Sequence, residues 1–140
     1  MKTRLFVYTD GAARGNPGLA GAGVAIKDET GKIICSLSKF LGNKTNNEAE
    51  YAAVNLAVDW LSQNLPKTKE IQFFFDSRLL VNQLSGHWRV KAPHLKPIVA
   101  NLRLKIAGLG KKVLFNHLPR EENSLADGLA NLAIDEIAGG

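Results

Sequence analysis

The chain reads as a mixed α/β fold, a sheet covered by helices, within one domain spanning residues 1–140. Three observations predict it. Short apolar runs alternate with turn formers in the first forty residues. Helical periodicity begins only after residue 45. From there strands and helices alternate with short connections, giving the order βββαβααβα. A length of 140 residues suits one core and cramps two.

"TRLFVYT" (3–9) is a strand rich in aromatic and β-branched residues, and Asp10 is expected to end it. "DGAARGNPG" is dense in turn formers. "AGAGVAIKD" (20–28) and "KIICSLSKF" (32–40) form a second and third strand across the tight turn "ETG", so three antiparallel strands stand at the front. A helix runs from Asn46 to Asn64, with Pro66 just beyond its end. "EIQFFFD" (70–76) is a strongly apolar strand. "SRLLVNQLSG" is a short helix closed by Gly86, "HWRVKAP" a loop, and "HLKPIVANLRLKIAG" a helix with Pro97 near its start and Gly108 at its end. "KKVLFNH" (111–117) is the fifth strand. The polar turn "LPREEN" leads into a last helix from Ser124 to Ala138, with Leu125, Ala126, Leu129, Ala130, Ala133 and Ile137 as its apolar face.

Composition narrows the function classes. The chain is 45% hydrophobic and 22% charged, a soluble globular balance. The start "MKTRLFVYTD" is too short in apolar residues for a signal peptide, and no stretch reaches membrane-spanning length. Cys35 is alone, which excludes an internal disulfide and a cysteine metal cluster and fits a reducing, cytoplasmic setting. Net charge is +5. No Asp or Glu occurs from Ser77 to Arg120, while nine of the 18 Lys and Arg fall there. Such a surface can attract a phosphate backbone, or simply be a solvated face.

The acids are more informative by position. Asp10 and Asp76 each follow an apolar strand, where Asp can form a turn, cap a helix or serve a site. Asp127 lies in the first turns of the last helix, beside Gly128. That glycine costs the helix about 1 kcal/mol relative to Ala and implies either a close approach or a tight packing contact. At 100° per residue, Glu50 shares a stripe with Val54, Ala57 and Leu61, which should face the sheet. Glu48 falls on the other side with Ala52, Asn55 and Asp59, a face that reads as wet, so Glu48 is a surface charge or part of a capping arrangement with "TNN". A carboxylate on the buried stripe requires a cation, a hydrogen bond or a proton. If Asp10, Glu50, Asp76 and Asp127 converge, a divalent ion resolves their repulsion, and an all-oxygen set suits Mg²⁺ or Mn²⁺.

"YTDGAARGNPG", "TNNEAEYAAV", "FFFDSRLLVNQLSG" and "HLPREENSLADGLANLA" together resemble ribonuclease H type 1. Each segment carries one of that family's four acids, in chain order, over nearly the whole chain. The resemblance implies a ribonuclease H-like fold: a five-stranded mixed sheet in order 3-2-1-4-5 with helices on both faces. It implies a metal-dependent endonuclease that hydrolyses the RNA strand of an RNA–DNA hybrid, leaving 5′-phosphate and 3′-hydroxyl ends.

By the same resemblance Asp10, Glu50, Asp76 and Asp127 hold two Mg²⁺ ions, with Mn²⁺ a possible substitute. Asp10 bridges the ions, Glu50 and Asp76 serve the leaving-group side, and Asp127 serves the water side. Glu48 falls on a variable position of the family pattern. His117 matches a mobile-loop histidine that assists proton transfer or product release, and Arg120 beside it can share that work. Gly11, Asn16, Thr45, Asn46 and Asn47 match substrate-contacting positions. Amides can both donate to and accept from a 2′-hydroxyl. "TNN" can equally cap the helix, with Glu50 three residues after Asn47 completing a capping box.

The family's basic protrusion is abbreviated here, leaving Arg89, Lys91 and Lys96 as a smaller grip, with Trp88 a sugar-stacking group or a core anchor. With strand one starting near residue 3, no N-terminal hybrid-binding domain is expected. The expected partner is hybrid duplex, without membrane or obligate protein partner. The rivals are cleavage of double-stranded RNA or structured DNA, a non-catalytic nucleic-acid-binding module, and a structural domain using its basic face for a protein partner.

Overall fold

The computed structural model describes residues 4–64 and 67–138. Five strands and four α-helices follow in the order β1 (Arg4–Gly15), β2 (Gly18–Asp28), β3 (Ile33–Lys44), α1 (Asn46–Asn64), β4 (Glu70–Phe75), α2 (Arg78–Ser85), α3 (Lys96–Ala107), β5 (Lys112–His117) and α4 (Ser124–Ala138). A single 3₁₀ turn, Arg120–Glu122, precedes α4. The sheet order is β3-β2-β1-β4-β5, the mixed five-stranded arrangement expected. The first three strands pair antiparallel, and β4 and β5 join parallel to β1 and to each other. Thr3, the expected first strand residue, and Pro66, expected beyond α1, lie outside the described residues. No helix among the described residues is long and apolar enough to cross a membrane.

Alternation along the strands decides the layers. Leu5 and Val7 of β1, Val24 and Ile26 of β2, and Ile71, Phe73 and Phe75 of β4 are buried in one cluster. They pack against Tyr51, Val54, Ala57, Val58 and Leu61 of α1 and against Leu80, Leu84, Val99 and Leu102 of α2 and α3. Each Val, Leu, Ile or Phe among them contributes roughly 1.5–3 kcal/mol on leaving water. The opposite face is covered mainly at β2 by α4. Gly21 and Gly23 make that approach possible, because a Cβ on either would strike the backbone of Ala130 or Ala126.

Four local expectations are corrected. First, β1 does not stop at Asp10. It continues to Gly15, paired with β2 throughout, and the reversal is confined to residues 15–18. The small residues of 11–15 match equally small residues of β2, and that complementarity outweighs their turn propensity. Second, Ser77 rather than Asp76 caps α2: its hydroxyl accepts the Leu80 N–H at 3.3 Å. Third, Ile134 is buried on α4, whereas Leu125 and Ile137 are 39% and 57% exposed, so the buried stripe runs through Ala126, Ala130, Ala133 and Ile134. A Cβ on Gly128 would meet nothing within 4 Å, so the glycine serves no packing contact. Fourth, the Glu48 face of α1 is not simply wet. It borders a groove of about 390 Å³ against Pro97, Ile98 and Asn101 of α3, and Lys105 reaches Asn55 at 2.6 Å and Asp59 at 2.5 Å.

Candidate active site

The strand ends place two of the acids. Pairing of β1 with β4 stops at Tyr8 and Phe74, while pairing with β2 carries on past Asp10. Asp10 therefore sits on a continuous strand at the point where its parallel neighbour ends. Asp76 is the first residue after β4. Neither has a turn or cap to serve, since β1 continues and Ser77 takes the cap.

The third acid arrives on α1, and Gly11 explains how. A Cβ at Gly11 would overlap the carbonyl of Ala49 and the amide of Glu50. Glycine lets the first turn of the helix rest on the strand, beside Asp10. The resemblance assigns Gly11 to substrate contact; the fold gives it a packing task.

The helix start separates the two glutamates. Thr45 and Glu48 form a reciprocal capping box: the Glu48 N–H donates to Thr45 Oγ1 at 3.2 Å, and the Thr45 N–H donates to Glu48 Oε1 at 2.9 Å. Of the two capping arrangements the sequence offers, the one with Glu48 forms and the one pairing Asn47 with Glu50 does not. Asn16, from the β1–β2 turn, accepts the Asn46 N–H at 3.0 Å and satisfies another end donor. Hydrogen bonds from Thr45 hold Glu48 below the usual glutamate range. Glu50 behaves oppositely.

Carboxylate oxygens of Asp10, Glu50 and Asp76 all lie within 4.8 Å of one another. Burial, then the charge of Asp76, pushes Glu50 up to about 7, against a lowering pull from Arg120. Burial also dominates at Asp10, followed by the charge of Asp76, a hydrogen bond and charge from Asp127, and the charge of Glu50; together they push it up to about 8. Asp10 thus feels all three other acids, whereas Asp127 stands outside the tight group of three. Among the described residues no Lys or Arg forms an ion pair with any of the four. A like-charged, all-oxygen set, with Asp10 buried and the others half-buried and no basic residue ion-paired to any of them, fits a hard divalent cation.

Asn123 also belongs to this site and was not anticipated. It is buried, and its Nδ2 donates to the Thr9 carbonyl at 3.0 Å and to Asp76 Oδ2 at 3.1 Å. It ties β1, Asp76 and the start of α4 together. The only sequence signal was an asparagine three residues before Ala126-Asp127.

The other expected residues flank the acids. His117 is the exposed last residue of β5, in register with Phe75 and so beside the strand end that carries Asp76. Arg120 begins the following 3₁₀ turn. A groove of about 560 Å³ is lined by Asn47, Gln83, Trp88, Arg89 and Lys91 among others. Trp88 is 51% exposed, which removes the core-anchor reading. Lys96 opens α3, on the far side of the connection 86–95.

The family model described as "Reverse transcriptase-like" matches residues 8–133. LC11-RNase H1, isolated from compost, superposes with a TM-score of 0.92 at 41% identity, covering 98% of this chain and 99% of that one. The chain belongs to the ribonuclease H type 1 family. LC11-RNase H1 has also been solved in complex with RNA/DNA hybrid, and that structure matches with a TM-score of 0.90 at 40% identity over 95% of this chain and 98% of that one. Ribonuclease HI of Halobacterium salinarum is 35% identical over 133 residues, 95% of this chain and 65% of that protein. The bifunctional protein Rv2228c of Mycobacterium tuberculosis is 35% identical over 136 residues, 96% of this chain and 36% of that protein. The chain thus spans between about one third and two thirds of these two curated relatives. Within the ribonuclease H frame the departure expected at the basic protrusion is present: α2 and α3 are joined by residues 86–95 alone.

Proposed function

We propose that this chain is an endonuclease that hydrolyses the RNA strand of RNA–DNA hybrids, leaving 5′-phosphate and 3′-hydroxyl ends. The observation that carries the reading is the gathering of Asp10, Glu50 and Asp76 within 4.8 Å at the strand ends. Membership in the ribonuclease H family supports the substrate class, as does the likeness to a relative crystallised on hybrid.

Asp10, Glu50, Asp76 and Asp127 would hold Mg²⁺, with Mn²⁺ as substitute. Two such ions, when bound, supply activation of water and stabilisation of the leaving oxygen of a phosphodiester. Asp10 is the group the other three acids all act on, which suits a shared ligand. Asn123 fixes the Asp76 carboxylate by a neutral donor, so it orients the ligand without adding a competing charge. Asn16 and Thr45 are engaged by backbone at the start of α1, which fixes the turn that carries Asn46 and Asn47, and these would contact sugar and base. Arg89 and Lys91 steer the duplex, and Trp88 offers a stacking face. His117, beside the strand end that carries Asp76, and Arg120, whose charge acts on Glu50, would assist the leaving oxygen or product release.

A cleavage panel of hybrid, RNA duplex, DNA duplex and single strands, with Mg²⁺ or Mn²⁺, tests the reading. The expected result is cutting of the RNA strand of hybrid. Preferential cutting of RNA duplex or structured DNA would replace the substrate. Binding of hybrid without cutting under either metal would point to the non-catalytic module.

A further inference from the structure

Asp127 reaches the site from α4 and, though in contact with Asp10, stands outside the tight group of three. One turn later on α4, Asn131 Nδ2 donates to Asp127 Oδ1 at 3.3 Å and to the Asp127 carbonyl at 3.0 Å. A carboxamide can turn over and present oxygen where nitrogen stood, which here would set an acceptor against a carboxylate. Arg14 decides the orientation. Its Nη2 donates to Asn131 Oδ1 at 3.3 Å and to Asp135 Oδ1 at 2.6 Å. With its oxygen engaged by the guanidinium, Asn131 presents its NH₂ to Asp127. Arg14 reaches this position only because β1 runs on past Asp10, so one strand carries both the central acid and the group that orients the support of the fourth.

We propose that Asn131 is a positioning residue for Asp127, oriented by Arg14, and that this pair raises the affinity of the acidic site for a divalent cation. The inference rests on the reading of Asp127 as a metal ligand. A neutral amide suits the task. It holds one carboxylate lone pair in a fixed direction and leaves the full negative charge for the cation, where a Lys or Arg would neutralise it. The competing explanation is a local habit: Asn within a helix often bonds back to the carbonyl four residues earlier. That habit accounts for the 3.0 Å bond and carries no consequence for cation binding.

The test is Mn²⁺ binding to the metal-free protein without nucleic acid, followed by the paramagnetic signal of free Mn²⁺. Asn131→Ala is expected to weaken binding about tenfold, the lower end for loss of a group that orients a ligand. Its melting temperature should hold or rise, because Ala is the best helix former. Arg14→Ala is expected to weaken binding a few-fold. Coulomb's law alone demands the opposite sign, since removing a cation near the site should tighten it. The double variant should bind no more weakly than Asn131→Ala alone. In cleavage assays the Mg²⁺ concentration for half-maximal rate should move by the same factor, with the hybrid KM at saturating Mg²⁺ unmoved.

Asp127→Asn separates the two layers. If it weakens Mn²⁺ binding and Asn131→Ala does not, positioning is overturned and the metal reading stands. If Asp127→Asn itself leaves binding unchanged, both fall. Tighter binding in Arg14→Ala, or full additivity in the double variant, overturns the role given to Arg14.

Discussion

Substituting Asp10 by Asn should stabilise the metal-free protein, and the gain should depend on pH in a defined way. In the folded chain burial, then Asp76, then Asp127 and Glu50 hold the Asp10 carboxyl up to about 8, against an ordinary value of 3.8. Below pH 3.8 the group is protonated in both folded and unfolded chains, and wild type loses nothing there. As pH rises, the unfolded chain releases the proton while the folded chain keeps it, so stability falls through the interval up to about 8 and then levels off. At 1.36 kcal/mol per unit the full interaction at pH 7 is about 4 kcal/mol; relaxation and solvent entry reduce this to about 2–4 kcal/mol. For a chain of this size that is on the order of 5–15 °C in Tm. The assay is thermal unfolding by circular dichroism in EDTA from pH 4 to pH 9. Asp10→Asn should melt with wild type at the acid end and increasingly above it towards pH 8. Added Mg²⁺ should raise wild type and leave the variant unmoved. A variant no more stable than wild type at pH 8, or a gap that does not widen with pH, would refute the electrostatic account.

Gly11→Ala should destabilise by about 1–3 kcal/mol, the usual cost of overpacking, and lower metal-dependent cleavage as well, because the collision is with the backbone that delivers Glu50; paired Tm and rate measurements check it. Gly128→Ala should stabilise by about 1 kcal/mol in denaturant melts, since the new methyl meets nothing within 4 Å and the helix gains propensity. Hybrid binding should weaken with salt, and Arg89→Gln with Lys91→Gln should make the log–log slope shallower by about 2, nearly one unit for each lost phosphate contact. An unchanged slope would remove these residues from the duplex path.

How far the sequence reveals this molecule depends on the range of the interactions. The starts of α1 and α4 follow from the local sequence and fall at Asn46 and Ser124, where they are expected. Glu50 was legible as a charge on an apolar stripe, because a helix fixes which residues share a face. The length of β1 was not legible. "GAARG" has turn composition, and only its pairing with the small residues of β2 makes it strand. The cap was half legible. Both Thr45–Glu48 and Asn47–Glu50 satisfy the capping spacing, and what distinguishes them is partly Asn16, thirty residues away, which takes the Asn46 N–H. Asn123 was missed for the same reason: its amide nitrogen acts on Asp76, 47 residues away. Asn131 was legible as a residue four after Asp127 on one helix, and only the part Arg14 plays in orienting it is long-range. On α4 the exchange of Ile134 for Ile137 follows from helix rotation against Gly21 and Gly23, which single-helix periodicity cannot place.

In the proposed function Glu50, and not its neighbour Glu48, is a metal-holding acid of the hybrid-cutting site. The most direct measurement is the rate of RNA-strand cleavage of hybrid in Mg²⁺ by Glu50→Gln and Glu48→Gln, each checked for folding by its melt. Glu50→Gln is expected to fold and to lose cleavage, while Glu48→Gln, which can still accept the Thr45 N–H as the capping-box partner, is expected to fold and still cut. Equal loss in both variants, or full activity in a folded Glu50→Gln protein, would contradict it.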